Sequence, residues 1–224
     1  MASLRISNYC TKKHSAQVQT LLDRYLTPMY CQRLKIPLKD KLKYTDIEDC
    51  LESDSASNPK FEGQSHVAIE KSSGKLVACQ LNYYVSKETF KNVFIDSNQS
   101  IAGDLSNNEN IRKYCQHRYA VCHDLIDLYE KYNLEKILYM ETTVILPEYR
   151  RLRVPDLLQD PVYGNYPNDG ILAEGMLTVG SYLAGGLEQN KLIQSVRRGE
   201  MIYCKRVLSH DGFVVPVVFR PPLC

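Results

Sequence analysis

The sequence lacks the features that mark secreted, membrane-spanning and nucleic-acid-binding proteins. No segment approaches the length of an apolar membrane span, and residues 1–9 mix Arg and Ser with isolated apolar residues instead of forming a signal peptide. The formal net charge is only +2, which gives no broad field for a nucleic acid or an anionic membrane. We therefore expect a cytoplasmic protein that recognises anions only locally.

Metal-ligand and disulfide spacings are also missing. The chain has eight cysteines but no C-x-x-C pair, and a secreted disulfide scaffold would normally be shorter. Neither His117 with His123 nor Cys115 with Cys122 repeats a zinc-ligand spacing. The sequence thus indicates reduced, mostly buried thiols and no metal.

What the sequence does contain is the composition of a folded domain. Hydrophobic residues make up 44% and charged residues 24%, which is too apolar for disorder. A chain of roughly 200 residues removes about 70% of its unfolded surface from water. We expect one domain over residues 1–224, with no internal repeat.

Helical and strand-like patterns alternate along the chain. Strands are predicted at residues 4–7, 66–70, 75–84, 136–146, 200–208 and 213–219, with hairpins at Ser72-Ser73-Gly74 and His210-Asp211-Gly212. Helices are predicted at residues 13–26, 111–132 and 171–187. Residues 90–110 are expected to wrap the surface. The prolines and glycines of residues 159–170 are expected to cut short a helix that opens near Arg153.

A strand that ends in a cluster of arginines is the most informative segment. Residues 142–145 are β-branched, and Pro147 cannot donate to a continuing ladder. Arg150, Arg151 and Arg153 follow within one turn, and Pro155 then lies near the start of a helix. Amides and guanidinium groups would converge there on a phosphate. An ordinary solvated turn is the alternative.

Residues 145–150, I-L-P-E-Y-R, resemble the V-x-P-x-Y-R strand of the GNAT superfamily of N-acetyltransferases. In that family the strand leads into Q/R-x-x-G-x-G/A, the loop that holds the pyrophosphate of acetyl-CoA; its two glycines fall here on Arg153 and Pro155. Residues 65–82 resemble the hairpin of the invertebrate arylalkylamine N-acetyltransferase-like branch. The resemblance implies a mixed α/β fold with a mostly antiparallel central sheet flanked by helices, and acetyl-CoA as cosubstrate.

The resemblance also implies roles for particular residues. Glu141 corresponds to the base of the polyamine acetyltransferases, whereas the N-terminal glutamate of the arylalkylamine branch is replaced by Thr27. The backbone N–H of Ile145 would stabilise the oxyanion, and Ser181 or Tyr182 would protonate the thiolate. The residues expected to bind the cofactor are Val144, Ile145, Arg150, Arg151, Leu152, Arg153, Val154 and Pro155. A structural hydrogen bond is the alternative for Glu141, and simple packing is the alternative for Tyr182.

Taken together, these observations predict an N-acetyltransferase that acetylates a small arylalkylamine- or polyamine-like amine by direct transfer in a ternary complex. The alternative is a degenerate member of the same fold that binds CoA weakly or not at all and serves as an interaction module. Thr27, the Arg153/Pro155 loop and the interrupted helix favour that alternative. An RNA- or phosphoprotein-binding domain ranks last, because the chain has neither an aromatic stacking motif nor a broad basic face.

Overall fold

The structure, a computed structural model, describes residues 3–28, 31, 34–37, 59–97, 108–150, 152–165, 170–174, 202–208 and 213–220. The chain divides into two compact units. The first comprises Met1–Tyr83 and Met140–Pro167, and the second comprises Tyr84–Tyr139 and Asn168–Cys224. The single domain over residues 1–224 stays a prediction.

Strands and helices alternate in the described residues. The strands are β1 Leu4–Asn8, β2 His66–Glu70, β3 Leu76–Ser86, β4 Lys136–Ile145, β5 Gly170–Glu174, β6 Ile202–Leu208 and β7 Phe213–Arg220. The α-helices are α1 Thr11–Leu21, α2 Lys87–Phe90, α3 Glu109–Cys122, α4 Asp127–Lys131 and α5 Val154–Asn165. Leu22–Leu26 and Lys91–Ser97 are π-helical, and Pro59–Phe61, His123–Ile126 and Pro147–Tyr149 are 3₁₀ turns. Within these ranges no helix combines the length and hydropathy needed to cross a membrane.

The first unit contains the strand order β1-β2-β3-β4. β1 pairs antiparallel with β2, and β2 pairs antiparallel with β3. Gly74 closes the β2–β3 turn at φ +70, a left-handed conformation that glycine adopts without a Cβ penalty, and its N–H donates to the Glu70 carbonyl at 2.8 Å. Leu146 N–H donates to the Val77 carbonyl at 2.9 Å, which ties the end of β4 to the start of β3.

The second unit contains the strand order β5-β7-β6, in which β7 pairs antiparallel with both β5 and β6. Its core is aromatic. Phe94 stacks on Phe90 with ring centres 4.8 Å apart and also contacts Tyr139, with ring centres 4.9 Å apart. The guanidinium of Arg118 is buried among these rings and donates to the hydroxyls of Tyr114 at 3.0 Å and Tyr139 at 3.3 Å. Polar hydroxyls thus anchor a buried cation inside an apolar cluster.

The predicted β2–β3 hairpin, the antiparallel pairing of β6 with β7 and the β4 strand are confirmed, while the turn predicted at residues 210–212 lies outside the described residues. Three other predicted features are wrong. Residues 170–174 form β5 and not a helix, because they pair with β7. Helix α5 continues through Pro161 to Asn165 instead of stopping at Leu158. Complete burial of Leu158 and Val162 on its inner face offsets the cost of an interior proline. Residues 90–97 are helical and bury Phe90 and Phe94 instead of wrapping the surface.

Candidate functional site

The turn that follows β4 is anchored to the β2–β3 hairpin. The hydroxyl of Tyr149 donates to Glu70 Oε1 at 2.7 Å, and Lys75 Nζ lies 3.4 Å from Glu148 Oε1. Hydrogen bonds from Ser73 and Tyr149 hold the pKa of Glu70 below its usual value, and the bond to Glu70 raises the pKa of Tyr149. The Pro147–Tyr149 turn therefore has a defined position relative to the sheet of its own unit.

The arginines of the turn have different surroundings. Arg150 is exposed, and its Nε donates to the Ile145 carbonyl at 3.3 Å, so the guanidinium is held at the end of β4. Arg151 lies outside the described residues. Leu152 is half-buried, and Arg153 is exposed. The side chains of Arg150 and Arg153 are thus both exposed.

Arg153 adopts the backbone conformation that glycine would normally supply. Its φ is +55, in the left-handed region, at the position where the GNAT loop carries its first glycine. The carbonyl of Arg153 accepts from Leu157 N–H at 3.2 Å as α5 begins. The turn thus retains a left-handed backbone despite the substitution.

Pro155 is the second residue of α5, where its missing N–H costs little. The first four N–H groups of a helix have no intrahelical acceptor, and proline is well tolerated in this first turn. The backbone N–H groups of Val154 and Asp156 remain at this helix end. The positive end of the helix dipole and the arginines therefore favour an anion there.

Glu141 is held by a phenol from the neighbouring strand. The hydroxyl of Tyr83, on β3, donates to Glu141 Oε2 at 3.2 Å. The Tyr83 ring is 6% exposed, and the ring of Phe61 meets it edge-on with centres 5.5 Å apart. Lys60 Nζ lies 3.7 Å from the centre of the same ring. The half-buried carboxylate consequently sits beside an aromatic and cationic cluster.

The amide of Ile145 points away from β3. Leu146 N–H donates to Val77 on β3, and successive N–H groups of a strand point to opposite edges. Val144 accordingly faces the β3 side, where its backbone hydrogen-bonds the thiol of Cys79. Ile145 N–H is therefore directed to the other edge of β4. In that orientation it takes no part in the hydrogen bonds between β3 and β4, as the proposed oxyanion donor requires.

Several predicted site residues are not brought together by the described structure. Ser181 and Tyr182 lie outside the described residues. Thr27 is buried, and its hydroxyl donates to the Asp23 carbonyl at 2.8 Å, so it supplies no base. Tyr139 lies two residues before Glu141 in sequence, but its hydroxyl accepts a hydrogen bond from Arg118 at 3.3 Å.

The sequence reasoning missed Tyr83 and Lys60. No local signal marks either residue, because the contacts of Tyr83 with Glu141 and of Lys60 with Tyr83 join segments that are separated in sequence. Over the described ranges, no group of three or more His, Cys, Asp or Glu side chains is arranged to hold a metal ion. Five described cysteines form no disulfide, and all but Cys10 are buried: Cys10, Cys31, Cys79, Cys115 and Cys122.

The structure resembles insect amine acetyltransferases over nearly its whole length. Arylalkylamine N-acetyltransferase 2 from Aedes aegypti superposes with a TM-score of 0.67 at 12% identity, covering 98% of this chain and 99% of that chain. Drosophila melanogaster polyamine N-acetyltransferase, which forms N-acetylagmatine, gives 0.64 at 15% identity, covering 97% and 99%. Mosquito arylalkylamine N-acetyltransferase-like 5b gives 0.62 at 12% identity, covering 97% and 99%. The sequence matches no family model and no curated protein.

These likenesses, at low identity, establish the fold. The chain has the mixed α/β fold of the GNAT acetyltransferases, and the structural match is to the insect arylalkylamine N-acetyltransferases. The predicted fold class, with a mostly antiparallel sheet flanked by helices, is confirmed.

Proposed function

We propose that this protein is an N-acetyltransferase that transfers the acetyl group of acetyl-CoA to a small amine. The observation that carries the proposal is the placement of a phenol-bound carboxylate, Glu141, four residues before Ile145 on the strand that delivers the arginine turn. The base, the oxyanion donor and the phosphate site of an acyl transfer thus belong to one continuous segment.

The proposed reaction begins with the acceptor amine. An alkyl ammonium has a pKa near that of lysine, about 10.4, so it must lose a proton before it attacks. Glu141 takes that proton, and the nitrogen lone pair then attacks the carbonyl carbon of the thioester. The C–N bond forms while Ile145 N–H donates to the carbonyl oxygen as it becomes negative. The C–S bond then breaks, and Tyr182 or Ser181 is the predicted source of the proton that the thiolate gains. The second proton lost by the nitrogen restores that residue to its neutral form, and the proton held by Glu141 passes to solvent.

The turn after β4 suits the diphosphate of the cosubstrate. Arg150 and Arg153 are exposed beside the N-terminus of α5, and Arg151 lies between them in sequence. Guanidinium groups bind phosphate oxygens through paired hydrogen bonds, which replace part of what a glycine-rich loop supplies through its amides. In this proposal Val144, Leu152, Val154 and Pro155 complete the cofactor site through backbone and packing contacts.

The state of Cys79, the thiol hydrogen-bonded to the Val144 backbone, is consistent with direct transfer. Cys79 is fully buried next to Val144, and burial raises the pKa of its thiol to about 12. Such a thiol stays protonated at neutral pH and is a poor nucleophile. Cys79 is therefore unsuited to carry the acetyl group, and the proposal keeps direct transfer between the two substrates in a ternary complex.

The proposed acceptor is an arylalkylamine- or polyamine-like molecule. The similar structures include enzymes named for arylalkylamines and one that forms N-acetylagmatine, so both kinds of amine remain candidates. The proposed partners therefore comprise acetyl-CoA and a small amine, with no metal, nucleic acid or membrane.

A second candidate function is a non-catalytic interaction module of the same fold. The observation that favours it is the replacement of both loop glycines, by Arg153 and Pro155, together with the absence of a carboxylate at Thr27. Such a module would retain the architecture and bind CoA weakly or not at all.

Calorimetric titration separates the two candidates. We expect acetyl-CoA and desulfo-CoA to bind with micromolar dissociation constants, and Arg150→Ala to weaken both while Arg5→Ala, an exposed arginine on β1, leaves them unchanged. Absence of heat at millimolar cofactor would favour the interaction module.

The role of Glu141 is tested by Glu141→Gln in steady-state assays with a panel of aryl and polyamine acceptors. We expect kcat to fall by about 10²- to 10⁴-fold, the usual contribution of a general base, with the dissociation constant of acetyl-CoA nearly unchanged. Glu88→Gln, an exposed carboxylate of α2, is the matched control. Equal turnover in wild type and Glu141→Gln would remove this residue from the mechanism.

A further inference from the structure

We propose that Tyr83 is a positioning residue that holds the carboxylate of Glu141 in its anionic, reactive orientation. The proposal rests on the proposed function, in which Glu141 is the base. It adds a residue from a second strand, β3, that neither the sequence motif nor the comparisons assign.

The geometry is that of a directed hydrogen bond across two antiparallel strands. The Tyr83 hydroxyl donates to one oxygen of Glu141, Oε2, at 3.2 Å, and this bond fixes where the other oxygen is directed. Two contacts show that β3 and β4 run antiparallel. Leu146 meets Val77, and Glu141 meets Tyr83, so residue numbers rise along β3 as they fall along β4. The antiparallel register therefore sets which β3 side chain meets the carboxylate.

The Tyr83 ring is itself held in place. Phe61 meets the ring at 83° with centres 5.5 Å apart, and Lys60 Nζ lies 3.7 Å from the ring centre. With 6% of Tyr83 exposed, the ring is fixed by packing on its edge and by a cation on its face. A phenol restrained in this way holds its acceptor at lower entropic cost than a mobile one.

The chemistry of the contact favours a charged carboxylate. A hydroxyl that donates to an ionised oxygen stabilises the anion over the neutral acid. The positive charge of Lys60 on the ring face draws electron density from the phenol and strengthens its O–H as a donor. Tyr139, the other phenol near this part of the sequence, is bound instead by Arg118.

The test is the Tyr83→Phe variant, which removes the hydroxyl and keeps the ring that packs on Phe61 and Lys60. Hydrogen bonds to charged groups contribute enough that we expect kcat to fall about 10- to 100-fold, with the KM for acetyl-CoA unchanged. The acid limb of the kcat/KM profile should move to higher pH, because the carboxylate has lost a donor that favours its anion. Tyr132→Phe at the end of α4 is the matched control.

Two further measurements test how Lys60 and the Tyr83 hydroxyl act on the Glu141 carboxylate. Lys60→Met keeps the aliphatic stem and removes the cation, and it should move the acid limb in the same direction by less. The titration of Glu141 can also be followed by carbon-13 NMR of the glutamate carboxyls, with its signal assigned by Glu141→Gln. In Tyr83→Phe the midpoint of that titration should move to higher pH, and this measurement needs no turnover.

The possible failures are distinguishable. Unchanged NMR midpoint and pH profile in Tyr83→Phe, alongside a large loss in Glu141→Gln, would overturn the role of Tyr83 and leave the acetyltransferase standing. Equal turnover in wild type and Glu141→Gln would overturn the proposed base and this inference with it.

Discussion

At the scale of single residues, Arg153 combines a left-handed backbone with a charged side chain. Glycine supplies that backbone in the GNAT loop that this segment resembles, but it has no side chain. Its φ of +55 places a non-glycine residue in the left-handed region, which costs about 1–2 kcal/mol relative to ordinary backbone. The same residue is exposed beside the N-terminus of α5. In the proposed function the side chain contributes a guanidinium to the phosphate site at the expense of backbone strain.

Comparing Arg153→Gly with Arg153→Ala separates charge from strain. Both remove the guanidinium, so both should weaken acetyl-CoA binding by a similar factor. Glycine relieves the left-handed strain but gains freedom in the unfolded chain, so we expect it to be more stable than alanine by about 0.5–1 kcal/mol. Urea denaturation measures the difference, and equal stability of the two variants would show that the left-handed conformation is not retained.

The candidate base was predictable from sequence, whereas its partner was not. Glu141 is identified by its position before Ile145 in a recognisable strand motif. Tyr83 is separated from Glu141 by 58 residues, and their contact depends on the register between β3 and β4. Register is decided by the packing of whole strands and turns, so no local pattern around Tyr83 reveals it.

At the scale of elements, the turn after β4 depends on the β2–β3 hairpin for its position. The bond between Tyr149 and Glu70 at 2.7 Å joins the two, and the Lys75–Glu148 pair lies beside it. An arginine turn held this way keeps its guanidinium groups near one location before a ligand arrives, which lowers the entropic cost of binding.

Tyr149→Phe tests this support. We expect acetyl-CoA affinity to fall several-fold with little change in overall fold, because the turn loses one anchor while the strand remains paired. Glu70→Ala should have a similar effect, and the double variant should be no worse than either alone, because both remove the same interaction. Calorimetry measures the affinities; additive losses would mean that the two residues act separately.

Elements with strong local signals were predictable, and elements that depend on distant partners were not. The β2–β3 hairpin follows from alternating apolar residues around Gly74, and β4 follows from its apolar run. The sequence predicts an early end of α5 because an interior proline usually breaks a helix. Burial of Leu158 and Val162 maintains the helix past Pro161. β5 was mistaken for a helix because its pairing with β7 joins segments far apart in sequence.

At the scale of the whole molecule, two histidines link stability to pH. Cys10 N–H donates to Nδ1 of His14 at 2.9 Å at the start of α1, and His66 is 2% exposed with no described hydrogen-bond partner at Nδ1. Burial lowers the pKa of both below 6.5, and Lys13 and Arg5 lower that of His14 further. Protonation is thus easier in the unfolded chain than in the folded one.

The free energy of unfolding should therefore fall as the pH drops below 6.5, the ordinary pKa of a histidine side chain. Each histidine stabilises the fold above that pH, and the stabilisation is lost as pH falls through its lowered folded pKa, with a slope of at most about 1.4 kcal/mol per pH unit per proton. Urea denaturation from about pH 7.5 to about pH 5 measures it. His66→Leu should flatten the curve, whereas His123→Gln, an exposed histidine, should not; an unaltered slope in His66→Leu would contradict the assignment.

The whole fold was predictable mainly through one short motif. Residues 145–150 and the hairpin before them carry the likeness, while identity to the similar structures is only 12–15%. Apolar spacing is enough to preserve a core, since many sequences fill the same interior. Loop sequences follow no such spacing, so the pattern that predicts the core does not predict the amine that the proposed enzyme would accept.

The hydrogen bond from Arg150 Nε to the Ile145 carbonyl joins the proposed phosphate-binding turn to the end of the strand that carries the proposed oxyanion donor. In the proposed function, a diphosphate that bound the Arg150 guanidinium would compete with the Ile145 carbonyl for the same donor. Binding of the nucleotide portion would then alter the hydrogen bonding at the end of β4, next to the amide proposed to stabilise the oxyanion.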